Sequence, residues 1–367
     1  MGKHPRAMSN PNPDFWRGKR VLLTGHTGFK GSWLAFWLLE LGANVTGLAL
    51  SPETEPSLFA QLQLDRRLDH RLGDIRMAQV VADLVEEVQP QVVLHLAAQP
   101  LVRRSYAEPT ATWATNVMGT IHLLEALRSL QHPCTAVLVT TDKVYRNYEW
   151  LYGYRENDPL GGHDPYSSSK AAAELAIASW RSSFCGDSPH QTPHLRVSSA
   201  RAGNVIGGGD WASDRIVPDA MRALGDGLAI GVRNPRATRP WQHVLEPLSG
   251  YLRLAEVLAT SKEHASAFNF GPQLESNRPV RDLVEEALRH WSGSWKDESD
   301  SQAPHEAGLL NLVIDRAHHQ LGWAPRWNFS TTVERTVKWY RRVQEGQASA
   351  LECCQQDLAA YLNQTSA

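Results

Sequence analysis

Apolar positions follow two alternating rhythms through the first half of the chain. Arg20-Val-Leu-Leu-Thr-Gly25 is a short apolar run closing on glycine, the pattern of a strand buried on both faces. From Phe29 to Leu41 the apolar residues recur at helical spacing, and Gly42 follows as a stop. Asn44–Leu50 reads as a second strand, Met77–Val88 as a helix and Gln91–Ala97 as a further strand. Ser105–Leu130 reads as one long helix and Thr135–Thr141 as a strand; the alanine-rich Pro165–Phe184 then forms a helix before a strand at Leu195–Ala200. Such strand–helix alternation predicts an α/β fold, a doubly wound parallel sheet of the Rossmann type.

Past Gly207 the rhythm breaks. Glycine, proline and tryptophan interrupt short helical pieces at Ile216–Leu224, Pro247–Ala259 and Val280–Trp291, and Lys296–Pro304 is a polar stretch expected as an exposed loop. The expected division is an N-terminal tail at 1–18, a dinucleotide-binding domain at 19–206 and a smaller mixed α/β C-terminal substrate-binding region at 207–345. The last residues, 346–367, form a tail or helix, and the chain returns to the first domain near 232–251. Gly207-Gly-Gly209 is expected to be a flexible turn.

Composition narrows the class. Apolar residues are 42 % and charged residues 21 % of the 367, and the formal charge is −2, with no long basic run. A core is affordable and nucleic acid is not the expected partner. No apolar run approaches the ~18 residues needed to span a membrane. The N-terminus is polar, and the four cysteines lack metal-ligand spacing, so a reduced cytoplasmic protein without a metal is expected.

Gly25-His-Thr-Gly28-Phe29-Lys-Gly31 lies between the first strand and the first helix. Glycines there permit a tight turn and close approach of a pyrophosphate to free N–H groups at the helix start. The acidic residue expected ~20 positions on to hold an adenosine ribose is missing. That neighbourhood is Leu48-Ala-Leu-Ser51, with Glu53 as the first carboxylate and no arginine for an extra phosphate, so NAD is expected as cofactor. Asp74 and Ile75 are placed to border the adenine.

Tyr166-Ser-Ser-Ser-Lys170 sets a phenol and an ammonium on one helix face. A cation beside a phenol lowers its pKa and makes it a usable base. Just upstream, Thr141-Asp142-Lys143 closes a strand with a carboxylate and a second lysine, groups that simple hydride transfer does not require. Either the pair handles protons in a longer reaction, or it is an ion pair closing a strand-end loop. As a proton-handling pair, it works with both groups neutral or with one proton shared.

These features resemble the extended short-chain dehydrogenase/reductase family over Arg20 to Tyr340. The motifs are the glycine loop, His95-Leu-Ala97-Ala98, Asn116-Val-Met-Gly119, Tyr166-x-x-x-Lys170 and Arg239-Pro-Trp241. The resemblance implies that Ala97, Ala98, Gln99, Thr140 and Asn116 line or support the NAD site. Within that family Thr141-Asp142-Lys143 is similar to the triplet of the nucleotide-sugar 4,6-dehydratases. Lysine in third place, with Ala200-Arg-Ala-Gly-Asn204 and His305-Glu-Ala307, resembles the branch acting on CDP-glucose. The resemblance implies that Tyr166 takes the O4 proton, Lys143 the C5 proton and Asp142 protonates the departing C6 hydroxyl. Thr141 would bond O4, and Lys170 would hold the nicotinamide ribose.

Arg201, Arg215, Arg233, Arg236 and Arg239 fall where a diphosphate is expected. The resemblance points to Asn204, Arg215, Arg233, Arg239 and Asn269 as substrate contacts, whereas Arg236 is taken as surface. His243 either borders the diphosphate or is a packed histidine. A homodimer or higher homo-oligomer is expected. Two other readings stay open: a nucleotide-sugar 4-epimerase or a dehydratase for another nucleotide sugar, and, in a different class, a non-catalytic dinucleotide sensor.

Overall fold

The computed structural model describes residues 10–186, 192–299 and 309–364. Apolar runs and helical stretches alternate as β1 (Arg20–Thr24), α1 (Phe29–Glu40), β2 (Asn44–Ala49), β3 (Asp69–Leu72), α2 (Ala78–Val88) and β4 (Val92–His95). There follow α3 (Val102–Ala107), α4 (Gly119–Leu127), β5 (Cys134–Val139), α5 (Pro165–Phe184), β6 (Leu195–Ala202), α6 (Leu245–Thr260) and β7 (Ala267–Phe270). The seven strands form one sheet in the order β7-β6-β5-β4-β1-β2-β3, with every adjacent pair parallel. The order reverses between β1 and β4, where an open α/β sheet leaves a crevice at its carboxyl ends.

Each face of the sheet is covered. On one side Leu84, Leu123 and Ile177, from α2, α4 and α5, pack on Leu22, Val93 and Leu138. On the other, Trp33, Phe36 and Trp37 of α1 join Leu248 and Tyr251 of α6 in the larger core. Two C-terminal helices, α7 (Phe329–Gln344) and α8 (Ala350–Asn363), extend that core with Val337, Tyr340, Cys354 and Tyr361.

Several expectations change. Ser105–Leu130 is not one helix. Glu108 leaves helical geometry (φ −128°, ψ 59°) because Pro109 disfavours helical backbone in the residue before it. A new helix starts at Pro109–Trp113, followed by a π turn at Ala114–Met118 before α4. The strands β3 and β7 carry no apolar alternation long enough to read, being four residues each. The return to the sheet runs through α6, which starts at Leu245 within the expected 232–251, and continues to β7. The N-terminal stretch is not a tail throughout, since Trp16 is wholly buried and its indole N–H donates to Glu256 at 2.8 Å. Gly208 lies against the Trp339 ring and Gly209 (φ +87°) against Leu58, so the glycine triplet is a packed turn. Trp295–Asp297 pairs as a short strand with Ile230–Val232, and residues 300–304 of the expected loop lie outside the described residues, as does His305-Glu-Ala307. Among the described residues no helix is long and apolar enough to cross a membrane.

Candidate active site

A cleft of about 1720 Å³ runs over the carboxyl ends of the strands between the sheet and the C-terminal region. Its floor is the turn between β1 and α1. Gly25 there has φ +78°, and a Cβ on it would sit 2.6 Å from the Ala97 nitrogen. A Cβ on Gly31 would meet the Gly25 carbonyl oxygen at 2.0 Å, so only glycine allows helix and strand to approach this closely. Gly28, the N-cap of α1, lines the cleft and has no side-chain cap; a Cβ on it would sit 3.5 Å from the Gly25 carbonyl oxygen, an ordinary contact. The free N–H groups of α1 thus face a concavity fitted to a pyrophosphate. Phe29, Asp74, Ile75, Ala97, Ala98 and Gln99 line the same half.

Within that half, Asp74 is fixed by Arg76 at 2.5 Å, and Glu53 by Arg104 at 2.9 Å. Gln99 spends its side chain on its own loop, donating to the Leu101 carbonyl and Thr112. Asn116 does not line the cleft: buried in the π turn, its amide bonds the Gln99 backbone on both sides and donates to Ser169 at 2.9 Å. It braces the loop after β4 against α5. The cofactor contact expected of it is corrected to this bracing role.

The chemical groups meet at the end of β5. Tyr166 and Lys170 project from the first turns of α5, which starts at Pro165 behind the N-cap Asp164. Lys170 donates to the Val139 carbonyl at 3.0 Å, and burial pulls its ammonium down to about 8, with Glu174 opposing. Burial pushes the Tyr166 phenol up to about 12; hydrogen bonding with Thr141 opposes the rise, Asp142 adds to it and Arg215 lowers it. The fold alone therefore keeps Tyr166 protonated. Added positive charge beside it would lower it.

Thr141 caps a single helical turn, Asp142–Val144, and its hydroxyl donates to Asp142 Oδ1 at 2.9 Å. Asp142 is buried, whereas Lys143 is part-exposed on the cleft wall with Nζ 3.4 Å from Asp142 Oδ1 and 3.3 Å from Asn204 Oδ1. The ion pair and the cleft-facing lysine are thus the same arrangement. Gly203 lies against Asp142, where a Cβ would approach Oδ2 to 3.0 Å.

Arg215, Arg233 and Arg239 also line the cleft. Asp210 holds Arg215 at 2.9 Å, and Asp214 (φ +64°) holds Arg233 at 2.8 Å. Asn269 lies outside the cleft. Its amide accepts from Tyr145 at 2.7 Å and donates to the carbonyls of Tyr154 and Val313, so the substrate contact expected of it is withdrawn. Arg201 is likewise buried away from the cleft against Glu174. His243 is wholly buried between Trp33 and Trp327, and burial holds its imidazole down near 3.

Comparison with known proteins fits this geometry. A family model described as GDP-mannose 4,6 dehydratase matches residues 22–336. The chain belongs to this dehydratase family. Among curated relatives, the CDP-glucose 4,6-dehydratase of Salmonella typhimurium is 45 % identical over 356 residues, covering 96 % of this chain and 99 % of that protein. The dTDP-glucose 4,6-dehydratase of Streptomyces antibioticus is 30 % identical over 88 % of this chain and 92 % of that protein. The solved dTDP-glucose 4,6-dehydratase of Streptomyces venezuelae, with NAD bound, aligns with TM-score 0.74 and 26 % identity over 90 % of this chain and 99 % of that one. The UDP-glucose 4-epimerase of Thermotoga maritima, 19 % identical with TM-score 0.73 over 88 % of this chain and 99 % of that one, shares the fold.

For a member of this dehydratase family, two cleft residues were missed by sequence reasoning. Lys30, inside the glycine loop, donates to the Tyr251 hydroxyl at 3.3 Å, and burial, then Arg215 and Lys170, pull it down to about 7. Its helix spacing was the available signal. Arg103 reaches Asp214 at 3.5 Å from α3, and nothing in the local pattern marks it.

Proposed function

We propose that the protein is an NAD-dependent hydro-lyase converting CDP-D-glucose to CDP-4-dehydro-6-deoxy-D-glucose and water, a step of deoxysugar biosynthesis in the cytoplasm. The observation that carries this reading is the Asp142–Lys143 pair on the cleft wall beside Tyr166, supported by the 45 % identity to the Salmonella enzyme. An epimerase needs the tyrosine and lysine of α5 but no second acid/base pair. A non-catalytic sensor needs neither.

The cofactor site fits NAD: an uncapped helix start at Gly28, the tight Gly25–Gly31 approach and a binding region without an arginine for a 2′-phosphate in Leu48–Ser51. When bound, NAD would supply a reversible hydride acceptor. Gly25, Gly28 and Gly31 would hold its pyrophosphate, and Lys170 its nicotinamide ribose. Tyr166 accepts the O4 proton as C4 is oxidised. The resulting ketone acidifies C5–H, and Lys143 takes that proton. Asp142 gives a proton to the C6 oxygen, which leaves as water, and a proton returns to C5 at the end. Thr141 bonds O4 and keeps the ketone polarised. Arg215, Arg233 and Arg239 face the diphosphate, with Asn204 fixing Lys143. The active unit is proposed to be a homodimer or a higher homo-oligomer.

Incubation with NAD and a panel of CDP-, dTDP-, UDP- and GDP-sugars, read by mass spectrometry, tests the proposal. Loss of one water from CDP-glucose in preference to the others is the expected result. CDP-galactose would establish the epimerase, dehydration of another sugar would move the base specificity, and absence of turnover would favour the sensor.

A further inference from the structure

Lys170 and Glu174 are one helical turn apart on α5, and the strand end they face is held at two successive residues. Lys170 donates to the Val139 carbonyl at 3.0 Å, and Glu174 Oε1 accepts from the Thr140 hydroxyl at 2.5 Å. The second Glu174 oxygen accepts from Ser199 at 2.8 Å and from Arg201 Nη2 at 2.7 Å, both on β6. Glu174 is buried and does not line the cleft. A charge so placed is costly unless fully bonded, and here each oxygen is engaged.

We propose that Glu174 is a positioning residue of the oxidation step: it supplies the buried counter-charge that holds Lys170 as an ammonium and pins the end of β5, without touching cofactor or substrate. This rests on the reading of Lys170 given under Proposed function. The charges around the lysine leave Glu174 this task. Lys30 on α1 is a like charge, and His95 on β4 is held neutral near 3 by burial and by Lys170 itself. Tyr166 and Asp142 lie on the cleft side, and neither bonds Lys170. Burial favours the neutral amine, and Glu174 is the charge that opposes it. Around Glu174 itself stand Thr140, Ser199, Arg201 and, further along α5, Arg181.

Removing the charge moves the lysine further down, so the ammonium is lost at lower pH. Glu174→Gln should shift the alkaline limb of kcat/KM for CDP-glucose acidward by about one unit. Activity then falls ~5-fold at pH 8 but less than ~2-fold at pH 6.5. Glu174→Asp, which keeps the charge, should retain the wild-type limb. Because Glu174→Gln strands Arg201, the double variant Glu174→Gln/Arg201→Gln gives a neutral pair; a cation is then removed with the anion, so a shift in the same direction but smaller is expected. A uniform loss at every pH, or an unmoved limb in both variants, overturns the proposal. Lys170→Met separates the two readings. If it turns over normally the reading of Lys170 fails, whereas a dead Lys170→Met with an unmoved Glu174→Gln limb defeats the Glu174 proposal alone.

Discussion

Lys143 reaches back to within 3.4 Å of the carboxylate of Asp142, its neighbour in the chain, while its own side chain stays 30 % exposed on the cleft wall and that of Asp142 only 2 %. The proposed elimination across C5 and C6 would use the sheltered carboxylate as its acid and the cleft-facing lysine as its base. Thr141 and Asn204 each bond one member of the pair, so neither can turn away without breaking a contact. Geometric control of this kind is worth much of a general acid/base effect.

Removing either member should separate oxidation from dehydration. Asp142→Asn and Lys143→Met are each expected to lower turnover of CDP-glucose by about 10²-fold or more, with NAD affinity unchanged. Stopped-flow absorbance should still show reduced cofactor forming in both. In deuterated water, Lys143→Met should in addition fail to exchange hydrogen at C5. Wild-type turnover in Lys143→Met would remove the lysine from its role as base.

Tyr166→Phe should fail one step earlier. The phenol is pushed up to about 12 by burial, and its replacement leaves no group to take the O4 proton. Turnover should fall by about 10²- to 10⁴-fold. Reduced cofactor should not build up, in contrast to Asp142→Asn.

On the substrate wall, Arg239→Met should act on binding. An arginine–phosphate bond contributes roughly 1.5–3 kcal/mol, so KM for CDP-glucose should rise about 10- to 100-fold with kcat little changed. Initial-rate kinetics at fixed ionic strength decide it. An equal loss in kcat would place Arg239 at the reacting centre.

What could be read in the chain beforehand was what depends on local spacing. The glycine loop, Tyr166 and Lys170 one turn apart, and Thr141-Asp142-Lys143 at a strand end all reach the cleft as expected. Contacts fixed by the fold at long range could not be read. Asn269 is separated from Tyr145 by 124 positions, yet its amide is taken up there and not by the cleft. Asn116 is likewise consumed by a loop before it and a helix after it. Glu174 looks like one more polar residue on α5 until β6 brings Arg201 and Ser199 against it. Short strands such as β3 escaped because an edge strand buries too little surface to impose a pattern.

The last prediction concerns stability. Glu246, at the start of α6, is wholly buried and accepts the backbone N–H groups of Arg326 and Trp327 and the Tyr361 hydroxyl, so it fastens α8 to the core. Burial pushes its carboxyl up to about 7 from the usual 4.5, against those hydrogen bonds. A carboxyl raised in the fold binds its proton more tightly there than in the unfolded chain. Its favourable effect is complete below about pH 4.5 and is lost as pH rises towards 7, a difference on the order of 3 kcal/mol. Asp357 of α8, beside Arg335, is raised to about 7 in the same way and keeps its own slope in both proteins. Glu246→Gln keeps a carbonyl oxygen for the two N–H groups and puts an amide beside the Tyr361 hydroxyl, which can accept from it while donating to Ser249 at 2.9 Å. Chemical denaturation at intervals between about pH 5 and pH 8 should therefore give a shallower stability profile for Glu246→Gln than for the parent, the gap widening in the variant's favour as pH rises. Parallel profiles would mean that Glu246 is already ionised in the folded protein at pH 5.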